Sequence, residues 1–525
     1  MRRCRSRPVR PANAQARELF FLPQTRLRVL AVALLLGACC WLTSVQQAGA
    51  RDITELGDGL IAEAIERHIV SETVLAPEAV EIQVEEGIVI LSGAVNNLLQ
   101  KSQVRQIAES IRGVRSVVDT VVVKPVVRDS AAIARDVRRS LAQLPPGSDL
   151  NVSVAVKGGS VTLTGQAESW VLSGLAVQTA MGINGVVEVI DQIDVKSRLD
   201  RDDEDVAQDI RHRLAADLYV DASQINVSVA DGKVTLEGIV GTAAEKRRAA
   251  ESAWMSGVES VDDRQLVVDW REVNRLRRSS PYVPRSDADI LKAVQAALQM
   301  DPRVNTANPK VAVENGVVTL SGAVDTLYAK QVAEQDARST TGVWRVQNDL
   351  QLRYRSFPPP DEVAAMINDV FRRDAELHAA DIGVAVEENH ARLSGVVPSM
   401  GLKVRAGNIA SQMEGVLTLD NQIRVAARSD RLSDAVITAA IKEELLWSPY
   451  VDGDRIFVTV TDGQALLQGA AADRFVAHMA VQNAFEGGAA AVRAELVLDD
   501  GSTFDQRFAT DDYRFRSGGL FRFRP

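Results

Sequence analysis

The side chains able to do acid–base or metal chemistry are few and scattered. Five histidines, His68, His212, His378, His390 and His478, are spread along the chain. None forms a His-x-x-x-His pair, the spacing that would set two imidazoles on one helix face for zinc. Carboxylates come in adjacent pairs such as Asp202-Asp203 and Asp262-Asp263. Their positions read as helix starts or strand edges, where they serve the helix dipole or face water. There is no Gly-x-Ser-x-Gly elbow and no phosphate-cradling glycine loop; Gly158-Gly159 and Gly487-Gly488 read as turn pairs. Cys4, Cys39 and Cys40 all lie in the first 40 residues, which excludes a disulfide framework or a Cys-ligated metal in the body. These residues define no catalytic or metal centre, and no cofactor is expected.

The elements that position the residues are therefore the next level. The chain has 525 residues, 46% apolar and 25% charged, which is a globular composition of several domains. Its net charge of -10 argues against nucleic-acid binding, which needs a basic surface. The first 28 residues hold eight Arg and one acid, Glu18, ahead of a 14-residue apolar run, Val29–Leu42. Such a run is short for a membrane span of roughly 20 residues and has the order of a secretory signal. Two processing routes are open: cleavage after Ala48-Gly49-Ala50, or lipid attachment at Cys39 of Leu36-Gly37-Ala38-Cys39. An uncleaved N-terminal membrane anchor is the third. Loss of residues 1–50 removes eight Arg and one Glu, taking the charge from -10 to -17 and leaving no cysteine.

One segment recurs six times: Ile82–Gly93, Val154–Gly165, Val227–Gly238, Val311–Gly322, Val384–Gly395 and Val458–Gly469. The closing glycines are 72, 73, 84, 73 and 74 residues apart, a period that suits a small domain. Within each copy, two apolar residues two apart precede a turn and two more follow it. Period-2 spacing puts all four on one sheet face, so each copy predicts a β-hairpin. The turn residue is Gly in five copies and Asn389 in the fifth, as positive φ requires. Helical patterns flank the hairpin, with Ser286 and Ser433 as N-caps. A third glycine (Gly113, Gly185, Gly257, Gly342, Gly415, Gly487) marks the end of the second helix before a last strand. The expected fold is α+β: six tandem α-β-β-α-β domains, each a three-stranded mixed sheet covered by two helices. Cores of this size supply only about 3–5 kcal/mol each, so neighbouring copies are expected to pack together.

This unit resembles the BON domain of bacterial envelope proteins. The resemblance rests on the Val-x-Val…Gly-x-Val-x-Leu-x-Gly hairpin, the helix after it and the Gly-Val before the last strand, over about 445 residues. It implies an exported, non-enzymatic protein of the periplasm or cell envelope that binds membrane phospholipid and supports envelope integrity or stress tolerance. The second reading is a scaffold for other envelope proteins or peptidoglycan. The resemblance transfers no ligand-binding residue. The closing glycines, Gly93, Gly165, Gly238, Gly322, Gly395 and Gly469, are expected to be structural. The expected order is an export segment at 1–50 and modules at 51–127, 128–199 and 200–270. A basic linker at 271–285 follows, then modules at 286–355, 356–427 and 428–500, and an Arg/Phe-rich tail at 501–525.

Three places depart from the repeat and are the candidate membrane contacts. Residues 169–187 carry no charge, and Trp170, Val171 and Leu172 could enter a lipid interface; packing against a neighbouring module is the other reading. The linker places Arg275, Arg277 and Arg278 together, for anionic lipid or for an acidic module. The tail interleaves Phe521 and Phe523 with Arg, as an interfacial anchor would.

Overall fold

The computed structural model describes residues 57–509, apart from short stretches at 74, 76–78, 125–126, 145–149, 196–200, 280–281, 305–308, 354–357 and 427–432. The export segment 1–50, with Cys39, lies outside the described residues, as do Phe521 and Phe523.

Each module is built in the order α-β-β-α-β. In the third, helix Asp203–Ala216 leads to strands Ile225–Ala230 and Lys233–Val240, then helix Ala243–Ala253 and strand Ser260–Val268. The hairpin strands pair antiparallel, Val227 opposite Leu236, and the last strand returns parallel to the middle one, Val261 opposite Val234. Both helices cover one sheet face. The core joins Val206, Ile210 and Leu214 of the first helix, Val234 and Leu236 of the middle strand, and Ala249 and Ala253 of the second helix. The same plan runs through all six modules, with first helices at Asp58–Glu72, Ser130–Leu141, Asp203–Ala216, Asp287–Met300, Pro360–Arg373 and Asp434–Trp447. Ser286 and Ser433 cap their helices, accepting the backbone N–H of Asp289 and Val436.

The closing glycines all have positive φ, from 113° to 143°. In five modules they sit inside the middle strand, as in Ile88–Val95 and Lys233–Val240, which each run two residues past the glycine; in the fourth, Gly322 separates Val317–Ser321 from Ala323–Val324. In the sixth module the left-handed glycine is Gly488 (φ 99°) rather than Gly487, which caps helix Arg474–Glu486 with φ -71°. That makes the spacing from closing glycine Gly469 equal to the one in the third module, Gly238 to Gly257. These two modules also share a 3-10 turn before the first strand, Ala222–Gln224 and Gly453–Arg455. The chain is thus two runs of three, with the sixth module answering to the third.

Two segments expected to lie outside the modules are folded. The linker opens as helix Trp270–Ser279, its Val273 buried, and Trp270 meets Trp447 edge-on at 4.7 Å. Tyr282 then sits between Tyr450 and Phe475, both at 5.4 Å. An amphipathic segment with an apolar stripe folds onto a neighbour when one is near, and charge alone did not reveal that stripe. The tail supplies strand Thr503–Ala509, antiparallel to Ala491–Leu498, so the sixth sheet has four strands.

The helices of different modules pack on one another, as the small size of each core required. Second helices of the first and third modules meet, as do those of the fourth and fifth. Arg247 pairs with Glu109 at 2.8 Å across the first of these junctions. Backbone bridges add to this, Asp217 to Thr340 and Ile183 to Asp374. The end of the third module's first helix therefore meets the end of the fourth module's second helix. The sixth and first modules repeat that relation through Glu444 and Arg112, 2.7 Å apart.

Candidate functional site

No group of three His, Cys, Asp or Glu side chains is placed to hold a metal among the described residues. Glu387 and His390 stand three apart, a spacing that would ligate metal on a helix. Here they face each other across the fifth hairpin turn, and His390 Nδ1 lies 2.6 Å from the Thr418 hydroxyl. His478 is buried in the sixth module near Arg338, and burial first, then that cation, lower its pKa to about 4.

The acid pair Asp202-Asp203 has a sharper role than the helix dipole. Asp202 caps the helix by accepting the N–H of Glu204. Asp203 reaches the hairpin turn and accepts the N–H of Asp231 and Gly232. Asp58, Asp287 and Asp434 clamp their own turns in the same way, each 29 residues before the turn glycine. That constant spacing was present in the sequence. In the second module, Ser130 makes one such bond, to Gly158. In the fifth, Pro360 holds the position and Asn389 secures the turn itself, donating to the Gly415 carbonyl.

The uncharged helix Trp170–Met181 lies against its neighbours rather than at a free surface. Trp170 packs against Trp254 of the third module, the rings 4.3 Å apart and tilted by 51°, and donates to the Val258 carbonyl at 3.2 Å. Leu172 is 2% exposed in its own core, and Val171 is 36% exposed. Trp170 and Leu172 are therefore packing residues. Arg275 pairs with Glu272 on its own helix. Arg277 and Arg278 fall on the same helix, and their side chains lie outside the described residues.

The exposed apolar side chains are concentrated on the sheet faces turned away from the helices. Ile88, Val118 and Val122 do this in the first module, Ile190 in the second, Val267 in the third, Val396 in the fifth, and Phe457 and Val497 in the sixth. Register explains the placement. Alternate residues of a strand take opposite faces, so the partners of buried Val89 and Leu91 turn inward while Ile88 turns out. In four modules an Asx turn falls in the last strand, at the sheet edge, and in the first, fourth and fifth it interrupts that strand. Asp119, Asp191, Asn348 and Asn421 each accept the N–H two residues on. In the third module the strand bulges between Asp262 and Gln265. Such devices discourage pairing with other chains. The sixth module has Ala494 at the corresponding position, opposite Leu467, and there the edge accepts strand Thr503–Ala509.

No described helix is long and apolar enough to cross a membrane.

The fold and surface define a protein of tandem α-β-β-α-β modules joined through their helices. A family model described as "BON domain" matches residues 57–125, 129–197, 202–269, 286–354, 361–427 and 433–499. The chain belongs to the BON domain family. It is 31% identical over 153 residues to the osmotically-inducible protein Y of Escherichia coli K12, covering 29% of this chain and 73% of that one. Among solved structures it aligns with CdsD, a structural protein of the type III secretion system of Chlamydia trachomatis. That match has 16% identity and a TM-score of 0.12, and covers 43% of this chain and 94% of the solved chain.

Proposed function

We propose that the chain is a non-enzymatic, exported envelope protein that serves osmotic-stress tolerance by binding phospholipid surfaces. Its kinship with an osmotically inducible protein and its family support the setting. The observation that carries the binding role is the set of exposed aliphatic and aromatic side chains on the outward sheet faces. Helices are spent on joining modules, so the sheets are what the molecule presents. Export rests on the Arg-rich, apolar first 50 residues; mass spectrometry of the native protein should find Arg51 first or a lipid-modified Cys39.

The direct test is co-sedimentation of the chain beginning at Arg51 with vesicles of phosphatidylglycerol and phosphatidylcholine. Binding that falls with salt supports the reading, and no binding to any vesicle removes it. A scaffold for other envelope proteins is the second reading. It is favoured by the first module's outer face, where Ile88 and Val118 adjoin Glu81 and Glu85, a rim that suits a basic protein better than anionic lipid.

A further inference from the structure

We propose that the outward sheet face of the sixth module is where the chain meets an anionic phospholipid surface. Phe457 enters the headgroup boundary, and Arg507, opposite Arg493, receives lipid phosphate. This rests on the phospholipid reading above and names its site.

Phe457 is 72% exposed as the second residue of strand Ile456–Thr461, between the buried Ile456 and Val458. A phenylalanine held in water forgoes roughly 25 cal/mol for each Å² it could bury. The register fixes its surroundings. Phe457 lies opposite Gln468, which pairs onward with Glu495 and Asp505. The adjacent row on the same face runs Thr459, Leu466, Arg493, Arg507. Arg493 and Arg507 are thus directly opposite each other across an antiparallel pair. Like charges in that position repel, and no other strand pair among the described residues sets two arginines together. Glu495 and Asp505 hold Arg493 from one side, while Arg507 is exposed. Because those acids already offset Arg493, Arg507 is the guanidinium exposed to an incoming anion, and a phosphate suits its donor geometry.

Position argues for a lipid surface over a small anion. Strand Thr503–Ala509 ends one row away, where Ala509 pairs with Ala491. From that edge the sequence continues with Arg514, Arg516, Arg522 and Arg524 interleaved with Phe515, Phe521 and Phe523. In a chain of net charge -10, an exposed aromatic and an arginine pair share one sheet face, and the sequence that follows that sheet's last strand is basic and aromatic. A membrane offers both partners these groups need, an apolar boundary and a plane of phosphates.

The experiment measures vesicle binding of the chain beginning at Arg51 with Phe457→Ser, Arg507→Gln and, on the sixth module's first helix, Val436→Ser. All three sites are exposed, so equal thermal melts should confirm intact folding. On phosphatidylglycerol–phosphatidylcholine vesicles, Phe457→Ser should bind roughly tenfold more weakly at both low and high salt. Arg507→Gln should bind about fivefold more weakly at low salt and like the parent at high salt. Val436→Ser should match the parent. If the parent binds and the first two variants bind equally well, this site is overturned while phospholipid binding stands. If the parent binds no vesicle, both fall. If Phe457→Ser instead dissolves a dimer and leaves vesicle binding unchanged, the face is a contact between copies and the proposal is wrong.

Discussion

Asp203 accepts the backbone N–H of Gly232 at 3.0 Å, tying the first turn of a helix to the tip of a hairpin 29 residues away. Its second oxygen takes the N–H of Asp231 at 2.8 Å. The clamp ties the start of the first helix to the hairpin turn, and it recurs at Asp58, Asp287 and Asp434. Replacing Asp203 by Ala leaves two turn N–H groups to water. We expect a loss of about 1–2 kcal/mol in chemical denaturation. Asp205→Ala, on the same helix, should cost less than about 0.5 kcal/mol.

Gly238 and Gly322 occupy the same repeat position with different surroundings. At Gly238 (φ 125°) an added Cβ would overlap the Gln224 carbonyl, whereas at Gly322 (φ 115°) the nearest atom would be 3.8 Å away. Gly322→Ala should cost about 1–2 kcal/mol from backbone strain alone. Gly238→Ala should cost at least about 1 kcal/mol more, because the first strand must also move. Equal melting shifts for the two variants would show that only φ matters.

Trp170→Ser should weaken the fold and spare vesicle binding. The ring is held by Trp254 and by the Val258 carbonyl, so its removal opens the junction of the second and third modules. A loss of about 3 kcal/mol is expected by denaturation. A variant that melts like the parent but fails to bind vesicles would return Trp170 to the membrane.

His478 makes stability depend on pH. Burial holds its pKa near 4 in the fold, against the ordinary 6.5. As pH falls through 6.5 the unfolded chain takes up this proton and the native state does not. Stability is therefore full above 6.5, is lost between 6.5 and 4, and falls no further below that. The loss amounts to at most about 3 kcal/mol. Glu376 and Asp473 act in the other direction: burial raises both, so acidification relieves their charge. The difference between the parent and His478→Gln isolates the histidine, and a parallel pH profile for the two would disprove the assignment.

Breaking the buried ion pair at the fifth module should be costly. Burial opposes the charge of Arg405, but Asp374 and Glu376 outweigh it and hold the guanidinium protonated. Arg405→Met leaves Asp374 buried without its cation, and about 3–5 kcal/mol should be lost. The double variant Arg405→Met, Asp374→Leu should recover a good part of that in the same denaturation measurement.

The sequence by itself determined the module. Period-2 alternation, turn glycines and capping residues are local signals repeated six times, and each hairpin and flanking helix follows from them in order. The Asp-to-Gly spacing of 29 was equally legible, because both partners keep fixed positions in the repeat. Tertiary structure decided which faces are free. Trp170 and Phe457 are both aromatic residues near the start of an element; one packs on Trp254, a residue 84 positions later in another module, and the other is left 72% exposed. The same holds for Tyr282, which a basic sequence hid as linker and which Tyr450 and Phe475 draw into the body. The tail strand Thr503–Ala509 depends on Ala494 leaving an edge unkinked, a condition set by a strand that pairs with it only in space. Burial between modules arises from non-local contacts, and periodicity within a segment carries no record of them.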